Sequence, residues 1–452
     1  MLRLLDTATG ETRPLEARES GEIGLYVCGP TVYGPPHIGH GRATLVYDIL
    51  RRYLEWSGQV VRHVSNVTDI DDKIINVAVT EKRSWQDVAV GAEDTWWDAM
   101  DRMGVLRPHV VPHATEYIPE MVELVARLVE AEVAYETAEG VYLSVANVPG
   151  YGLLAHQSLD SLRAGARVEV NEDKRAPVDF ALWKKAKPDE PSWPAPFGPG
   201  RPGWHTECVV MSLALLGDGF ALHGGGDDLK FPHHENERAQ AVALGQPFAR
   251  HWIHHGMILL GQEKMSKSLG NIVDLRRMLE VHDPRAYRLV VLQGHYREQM
   301  KVDETRIADA SRTLSGLDAL GRRLEEAARD GGSAPPSPDV LDGFKEQMDA
   351  DLGTPRAVAT LFDAVRRANI ALDRRETEVG VSLARGAMVG FDVLGLAPVG
   401  SAEVSDSALE LARRRDAARA SGDYAAADGL RDELVALGYR VEDTPSGTRV
   451  LR

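Results

Sequence analysis

The residues able to do chemistry in this chain are gathered in a few short stretches. Its two cysteines, Cys28 and Cys208, lie in Tyr26-Val-Cys-Gly-Pro and Trp204-His-Thr-Glu-Cys208, and Phe231-Pro-His-His-Glu-Asn-Glu237 follows downstream. A helix starting after Pro232 would place His233 and Glu237 on one face, where both could reach a single ion. Two thiols, an imidazole and a carboxylate form a ligand set that suits zinc. The same residues also have plainer uses. A buried cysteine packs as a small hydrophobe, paired histidines cap helices, and Glu235 or Glu237 can be a solvated helix residue. No C-x-x-C pair is present to decide between these uses.

Two further stretches suit phosphate. His37-Ile-Gly-His40 stands between a predicted strand and a predicted helix, among Gly29, Gly34, Gly39 and Gly41, which let backbone approach a ligand closely. The helix N-terminus that follows offers unpaired N–H groups. His37 and His40 can donate to oxygens that gain charge in a transition state, or simply cap the helix. Far downstream, Lys264-Met-Ser-Lys-Ser268 puts Lys264 and Lys267 in one polar loop, an arrangement suited to a polyphosphate, though solvated loops also carry lysines. Between these stretches lies His223-Gly-Gly-Gly-Asp-Asp228. There Gly224, Gly225 and Gly226 leave room for adenine and ribose, and Asp228 can accept from ribose hydroxyls. An ordinary strand-end turn is the alternative.

Together, the His-Ile-Gly-His and Lys-Met-Ser-Lys-Ser stretches resemble the signature of class I aminoacyl-tRNA synthetases. Tyr26-Val-Cys-Gly-Pro-Thr-Val-Tyr33, Asn66-Val-Thr-Asp-Ile-Asp-Asp-Lys73, Asp179-Phe-Ala-Leu-Trp-Lys184, Pro191-Ser-Trp193, Gly200–Cys208 and His223–Glu237 resemble the cysteinyl-tRNA synthetases more specifically. The likeness runs through essentially the whole chain, Arg431–Thr448 included. It implies that cysteine is activated with ATP to cysteinyl adenylate, with release of pyrophosphate, and passed to the terminal adenosine of tRNA(Cys). It implies one zinc per chain, held by Cys28, Cys208, His233 and Glu237, which separates a thiolate from the hydroxyl of serine where a plain pocket would discriminate poorly. It implies catalytic roles for His37, His40, Lys264 and Lys267. ATP, with magnesium, would meet Gly39, Gly224, Gly225, Gly226, Asp228 and Lys267, while Thr68 and Trp204 would line the amino-acid pocket and Asp69 its wall near the amino group.

Three positions depart from the family pattern: Gly34, where many relatives carry Asp; Phe197, commonly Trp; and Val450, often Trp, where a π-face would be needed to stack a base. Two other functions share much of this core: a ligase joining cysteine to glucosaminyl-inositol in mycothiol synthesis, and a non-catalytic zinc- and RNA-binding paralogue. Leu409–Arg452 resembles a tRNA-binding terminus, which an amine ligase does not need.

These residues require a scaffold. A hairpin over 1–20, a strand at Gly24–Cys28, a helix over Arg42–Trp56 and a strand at Val60–Val67 read as a βαβ unit, hence a parallel sheet. Residues 110–135 are helical by pattern, and 136–200 read as an insertion with a strand at Gly140–Ser144 and a proline-rich tail. Strands return at Gly219–His223 and Trp252–Leu260. Beyond 275 helical patterns dominate, broken at Gly331–Pro338, with helices at Leu409–Ala420 and Tyr424–Leu437 and a closing hairpin. The expected fold is α/β: a Rossmann-like parallel-sheet catalytic domain (1–115 and 201–275) with an inserted connective segment (116–200), then an α-helical tRNA-binding region (276–400) and a small C-terminal anticodon-side domain (401–452).

The 452 residues are 43% hydrophobic and 27% charged, an ordinary globular balance that excludes a disordered tail, a collagen-like chain or a coiled-coil rod. The net charge of −16 argues against general coating of nucleic acid, so RNA contact must be local. The arginines at 366–367, 374–375, 413–415 and 431 are the available charge, or else solvated helix faces. Two cysteines cannot staple a secreted fold, and no apolar run matches a signal peptide or a membrane span. The expectation is a cytoplasmic monomer with no membrane partner.

Overall fold

In a computed structural model that describes all residues except 166–173, 261–262, 265–272, 330, 399–405, 438, 445–446 and 452, the chain opens with the expected hairpin, β1 (Arg3–Asp6) and β2 (Glu11–Pro14). Strand β3 (Glu22–Val27) is buried along almost its whole length, as a central parallel strand must be. Helix α1 spans Ile38–Trp56 and begins earlier than its apolar periodicity suggested. A reciprocal cap explains the difference: His37 Nδ1 accepts from the His40 N–H at 3.2 Å, and His40 Nδ1 accepts from the His37 N–H at 3.3 Å. The His-Ile-Gly-His stretch is therefore the cap and first turn of α1, not a loop before it. Strand β4 (Val60–Ser65) pairs in parallel with β3, Tyr26 opposite Val64.

Helices α2 (Asp72–Glu81) and α3 (Trp85–Arg102) share a small core of Ile74, Ala78, Val88, Ala89 and Ala92. After α4 (Ile118–Glu130) the inserted segment forms its own antiparallel sheet. Its strands are β5 (Ala134–Glu136), β6 (Gly140–Leu143), β7 (Phe180–Lys185) and β8 (Gly200–Pro202) in that order, with the short α5 (Leu159–Gly165) between β6 and β7. Helix α6 (Trp204–Leu216) is mostly buried. It leads to β9 (Leu222–Gly226), α7 (Glu235–Ala243) and β10 (Trp252–His255). The catalytic sheet runs β10-β9-β3-β4, parallel throughout. Winding reverses between β3 and β9. A crevice at the carboxyl ends of strands is expected at such a switch point.

The expected single run Trp252–Leu260 is two strands. Gly256 breaks it, because its backbone packs so closely on 297–298 that a Cβ would lie 2.3 Å from the Glu298 carbonyl oxygen. Beyond it, β11 (Ile258–Leu260) pairs antiparallel with β12 (Glu263–Lys264). Helices α8 (Leu275–Val281) and α9 (Pro284–Leu292) precede β13 (Met300–Lys301), which pairs in parallel with β11. The remaining chain is helical as expected: α10 (Glu304–Arg329), α11 (Pro338–Asp349), α12 (Thr354–Asp373), α13 (Thr377–Val393), α14 (Asp406–Ala420) and α15 (Tyr424–Ala436), closed by the hairpin β14 (Arg440–Thr444) and β15 (Gly447–Leu451).

Two compact units result: Met1–Arg312 with Pro338–Asp363 and Val389–Leu396, and Thr313–Ser337 with Ala364–Met388 and Ala397–Arg452. In the first, a buried ion pair ties α1 to α9. Asp48 Oδ2 accepts from Arg288 Nη1 at 2.5 Å and from Arg52 Nε at 2.9 Å. Burial alone would raise the Asp48 carboxyl, but the arginines hold it below its ordinary value. In the second unit the chain end has its own core of Ala408, Leu411, Ala412, Leu434, Tyr439 and Val450. Val450 thus faces inward as a core residue. Arg415 is likewise buried and donates to Thr448 Oγ1 at 2.7 Å, so it serves the module's interior.

Candidate active site and metal centre

Four side chains from distant parts of the sequence converge below the crevice. Cys28 follows the last residue of β3, Cys208 lies in the second turn of α6, and His233 and Glu237 flank the start of α7. Their ligand atoms lie within 4.8 Å of one another. Cys28 Sγ is 3.5 Å from Cys208 Sγ, 3.5 Å from His233 Nε2 and 3.4 Å from Glu237 Oε1, and His233 Nε2 is 3.0 Å from Glu237 Oε1. Tetrahedral zinc, with bonds of about 2.0–2.3 Å, separates its ligand atoms by about 3.3–3.8 Å. The cluster is of that size and donor type, so these residues fit a zinc ion. Both cysteines are free thiols. Burial pushes the Cys28 thiol well up, while the hydrogen bond from Cys28 brings Cys208 down to about 6. Metal binding there would take both sulfurs as thiolates and release their protons.

Further histidines back this set. His223 Nε2 lies 2.7 Å from Glu237 Oε2, and His205 Nδ1 lies 2.9 Å from His233 Nδ1. Burial opposes charge on Glu237, yet His223 and His233 hold its carboxyl well below the carboxylate range. Such outer partners fix ligand orientation. A second grouping, Cys28 with His223, His234 and Glu237, also meets the distance test. The grouping with both sulfurs is the softer and better zinc set. His234 approaches Cys28 Sγ at 3.3 Å from behind and is held through His254 to Thr7, at 2.8 and 2.7 Å.

Above the cluster opens a cavity of about 320 Å³, lined among others by Cys28, His37, Gly39, His40, Trp204, Gly225, Gly226 and Asp228. Because both histidines accept through Nδ1, their neutral rings carry the proton on Nε2. Capping thus sets the tautomer and makes each ring an Nε2–H donor at the cavity wall. The rings stack at 3.6 Å. The glycine triplet is part of strand β9 rather than a turn after it. Gly224 does not reach the cavity: Tyr47 fills its space, and a Cβ would lie 2.3 Å from that ring. Gly225 faces His234 in the same way, and Gly226 lies beside Asp228.

Trp204 lines the cavity and stacks on His233 at 3.9 Å. Thr68 is buried instead of lining the wall; its hydroxyl donates to Glu207 Oε2 at 2.7 Å and accepts from Asn66 Nδ2 at 3.2 Å. Asp69 accepts from the Thr115 hydroxyl at 2.5 Å. Lys264 is in β12, and Lys267 lies outside the described residues. Sequence reasoning missed His205, His223, Asn66 and Glu207. Asn66 Oδ1 accepts from the Gly29 N–H at 3.0 Å and from Tyr26 OH at 3.2 Å, and so clamps the turn bearing Cys28. The polar Asn66-Val-Thr-Asp run at a strand end was the available signal for it. His205 and Glu207 had none beyond their nearness to Cys208.

The fold as a whole has structural parallels. Mycobacterium tuberculosis methionyl-tRNA synthetase in complex with methionyl-adenylate superposes with a TM-score of 0.62 at 16% identity, over 83% of this chain and 90% of that one. The LeuRS of Agrobacterium radiobacter K84, in its ternary complex, does so with a TM-score of 0.63 at 10% identity, over 84% of each chain. The fold is that of the class I aminoacyl-tRNA synthetases.

Residues 14–312 match the family model of the tRNA synthetases class I (C) catalytic domain, 343–397 the DALR domain, and 401–450 the cysteinyl-tRNA ligase anticodon binding domain. A cysteine–tRNA ligase of Thermus thermophilus is 44% identical over 99% of this chain and 98% of its own length, and that of Syntrophotalea carbinolica is 41% identical over the same shares. The chain belongs to the cysteinyl-tRNA synthetase family. No helix among the described residues is long and apolar enough to cross a membrane.

Proposed function

We propose that this chain is a cysteine–tRNA ligase that forms cysteinyl adenylate from cysteine and ATP and passes the cysteinyl group to the terminal adenosine of tRNA(Cys). One observation carries the reading. Cys28 of the Cys28, Cys208, His233 and Glu237 set lines the same cavity as the His37 and His40 cap, as does Trp204, which stacks on His233. Zinc bound there would take the substrate thiol as thiolate and reject the hydroxyl of serine.

The chain's own groups do the rest. Trp204, stacked over His233, closes the small pocket and excludes water. The Nε2–H groups of His37 and His40 and the N-terminus of α1 stabilise charge on the α-phosphate as the cysteine carboxylate attacks it. Lys264 and Lys267 neutralise the departing pyrophosphate, with magnesium accompanying ATP. Gly225, Gly226 and Asp228 hold the adenosine. Thr68 acts indirectly, joining Asn66 to Glu207 behind the pocket. Positioning and electrostatics suffice, and no covalent enzyme intermediate forms.

The limits read from sequence divide the work: 1–115 and 201–275 carry activation, 116–200 the inserted segment, and 276–400 and 401–452 the RNA. The protein would act as a cytosolic monomer with one zinc. Cysteine-dependent ATP–pyrophosphate exchange, followed by transfer with tRNA(Cys) and glucosaminyl-inositol as competing acceptors, tests the reading. Transfer to the amino sugar alone would overturn it.

A further inference from the structure

The geometry points to Lys73 as the contact for a backbone phosphate of the RNA acceptor strand as it enters the cavity, an inference that rests on the ligase reading above. Lys73 is the second residue of α2. A helix N-terminus carries partial positive charge, so a cation there is unfavourable. Its neighbours obey that rule. Asp71 caps the helix, accepting from the Lys73 N–H at 2.9 Å, and Asp72 opens it. Neither neutralises the lysine. Asp72 is held by Lys184 at 2.6 Å and by Arg201, while Asp69 is engaged with Thr115. Among the described residues, no carboxylate pairs with Lys73 Nζ.

Nζ stands instead over the rings of Tyr33 and Trp204, 5.4 and 5.9 Å from their centroids, within reach of a cation–π attraction. Lys73 also lines the cavity. Depth along this wall is ordered: His233 is buried, Trp204 stacked on it is half-buried, and Lys73 is exposed. Lys73 thus marks the mouth, one ring outward from the metal ligands. A residue that breaks a local stability rule with no carboxylate to neutralise it signals function. The amino acid and ATP take the floor and walls. The reactant that arrives through the mouth is a single strand, and each of its nucleotides carries a phosphate. A lysine is a compact, flexible charge suited to such a target.

The test uses full-length Lys73→Gln and Lys73→Arg. Cysteine-dependent ATP–pyrophosphate exchange should stay within about twofold of the starting protein. Single-turnover transfer to tRNA(Cys) should fall roughly tenfold in Lys73→Gln, the scale of one charge-assisted hydrogen bond, and recover in Lys73→Arg. The slope of log kcat/KM for tRNA against log salt should become shallower by about 0.7, the value for one phosphate of a single strand. Thermal unfolding of Lys73→Gln should be unchanged or higher, since a misplaced cation has been removed. An equal loss in exchange would assign Lys73 to cysteine or ATP and overturn the inference, as would unaltered transfer. If the starting protein exchanges but charges no RNA, the ligase reading itself fails, a result separate from any effect of Lys73.

Discussion

His223 Nε2 approaches Glu237 Oε2 at 2.7 Å, whereas Cys28 and His233 approach the other carboxylate oxygen, Oε1, at 3.4 and 3.0 Å. One carboxylate thus faces the proposed ion with one oxygen and its support with the other. His223→Ala should therefore keep all four ligands yet weaken zinc retention by about 10–100-fold. Chelator competition measures this, and an unchanged zinc affinity would remove the supporting role.

Cys208→Ser replaces a soft ligand by a hard one at a site 1% exposed. Zinc content should fall, and cysteine should bind more weakly while ATP binding is little affected. Metal analysis with separate cysteine and ATP titrations decides it. Normal cysteine affinity in a zinc-free variant would rule out a metal–thiolate contact.

Lys267→Ala should lower the rate of adenylate formation by ~10²–10³, the usual cost of losing one group aimed at developing charge. Cysteine affinity should change far less. Pre-steady-state ATP consumption measures the step, and an unaltered rate would dismiss the lysine from it.

Acid stability should depend on His63 in β4. Both its ring nitrogens are buried without a hydrogen-bond partner among the described residues. Burial first, then Arg51 and His109, lower its pKa to about 3. The unfolded chain titrates near its ordinary value of about 6.5. The folded state therefore keeps its full stability above that pH and loses it as pH falls from 6.5 toward 3, because only the unfolded state takes the proton. His63→Leu should flatten this loss, visible as a smaller drop in urea midpoint between neutral and acidic pH. The same drop in both proteins would contradict the assignment.

A chain ending near Gly400 should keep much of its cysteine activation and lose tRNA charging. The terminal helices and hairpin enclose their own core, so their removal leaves the catalytic core intact. All proposed zinc ligands and both signature stretches lie upstream. Equal charging by truncated and full-length protein would place the RNA contacts elsewhere.

The local patterns of this chain were strong enough to read alone. Alternating and helical periodicities placed β1–β4, α14, α15 and the closing hairpin, because each element buries a stripe set by its own repeat. The His-Ile-Gly-His and Lys-Met-Ser-Lys-Ser pairing and the His233–Glu237 spacing pointed to phosphate and metal chemistry, since these functions need particular residue types at particular intervals. Tertiary structure decided what depends on contacts between distant segments. Periodicity could not show that His37 and His40 cap each other and so start α1 at Ile38, because side-chain capping leaves no apolar repeat. Nor could it show that Gly224 serves Tyr47 packing, that Gly256 divides a strand, or that Thr68 turns toward Glu207. In each case the partner lies far along the chain. Arg415 makes the same point at the other end: its type suggested an RNA-facing or solvated position, but the terminal module holds it inside, together with Val450, a position that lacks the ring needed to stack a base. Convergence of Cys28, Cys208, His233 and Glu237 on one point is likewise a product of the winding reversal between β3 and β9, which brings the ends of separate segments to one crevice.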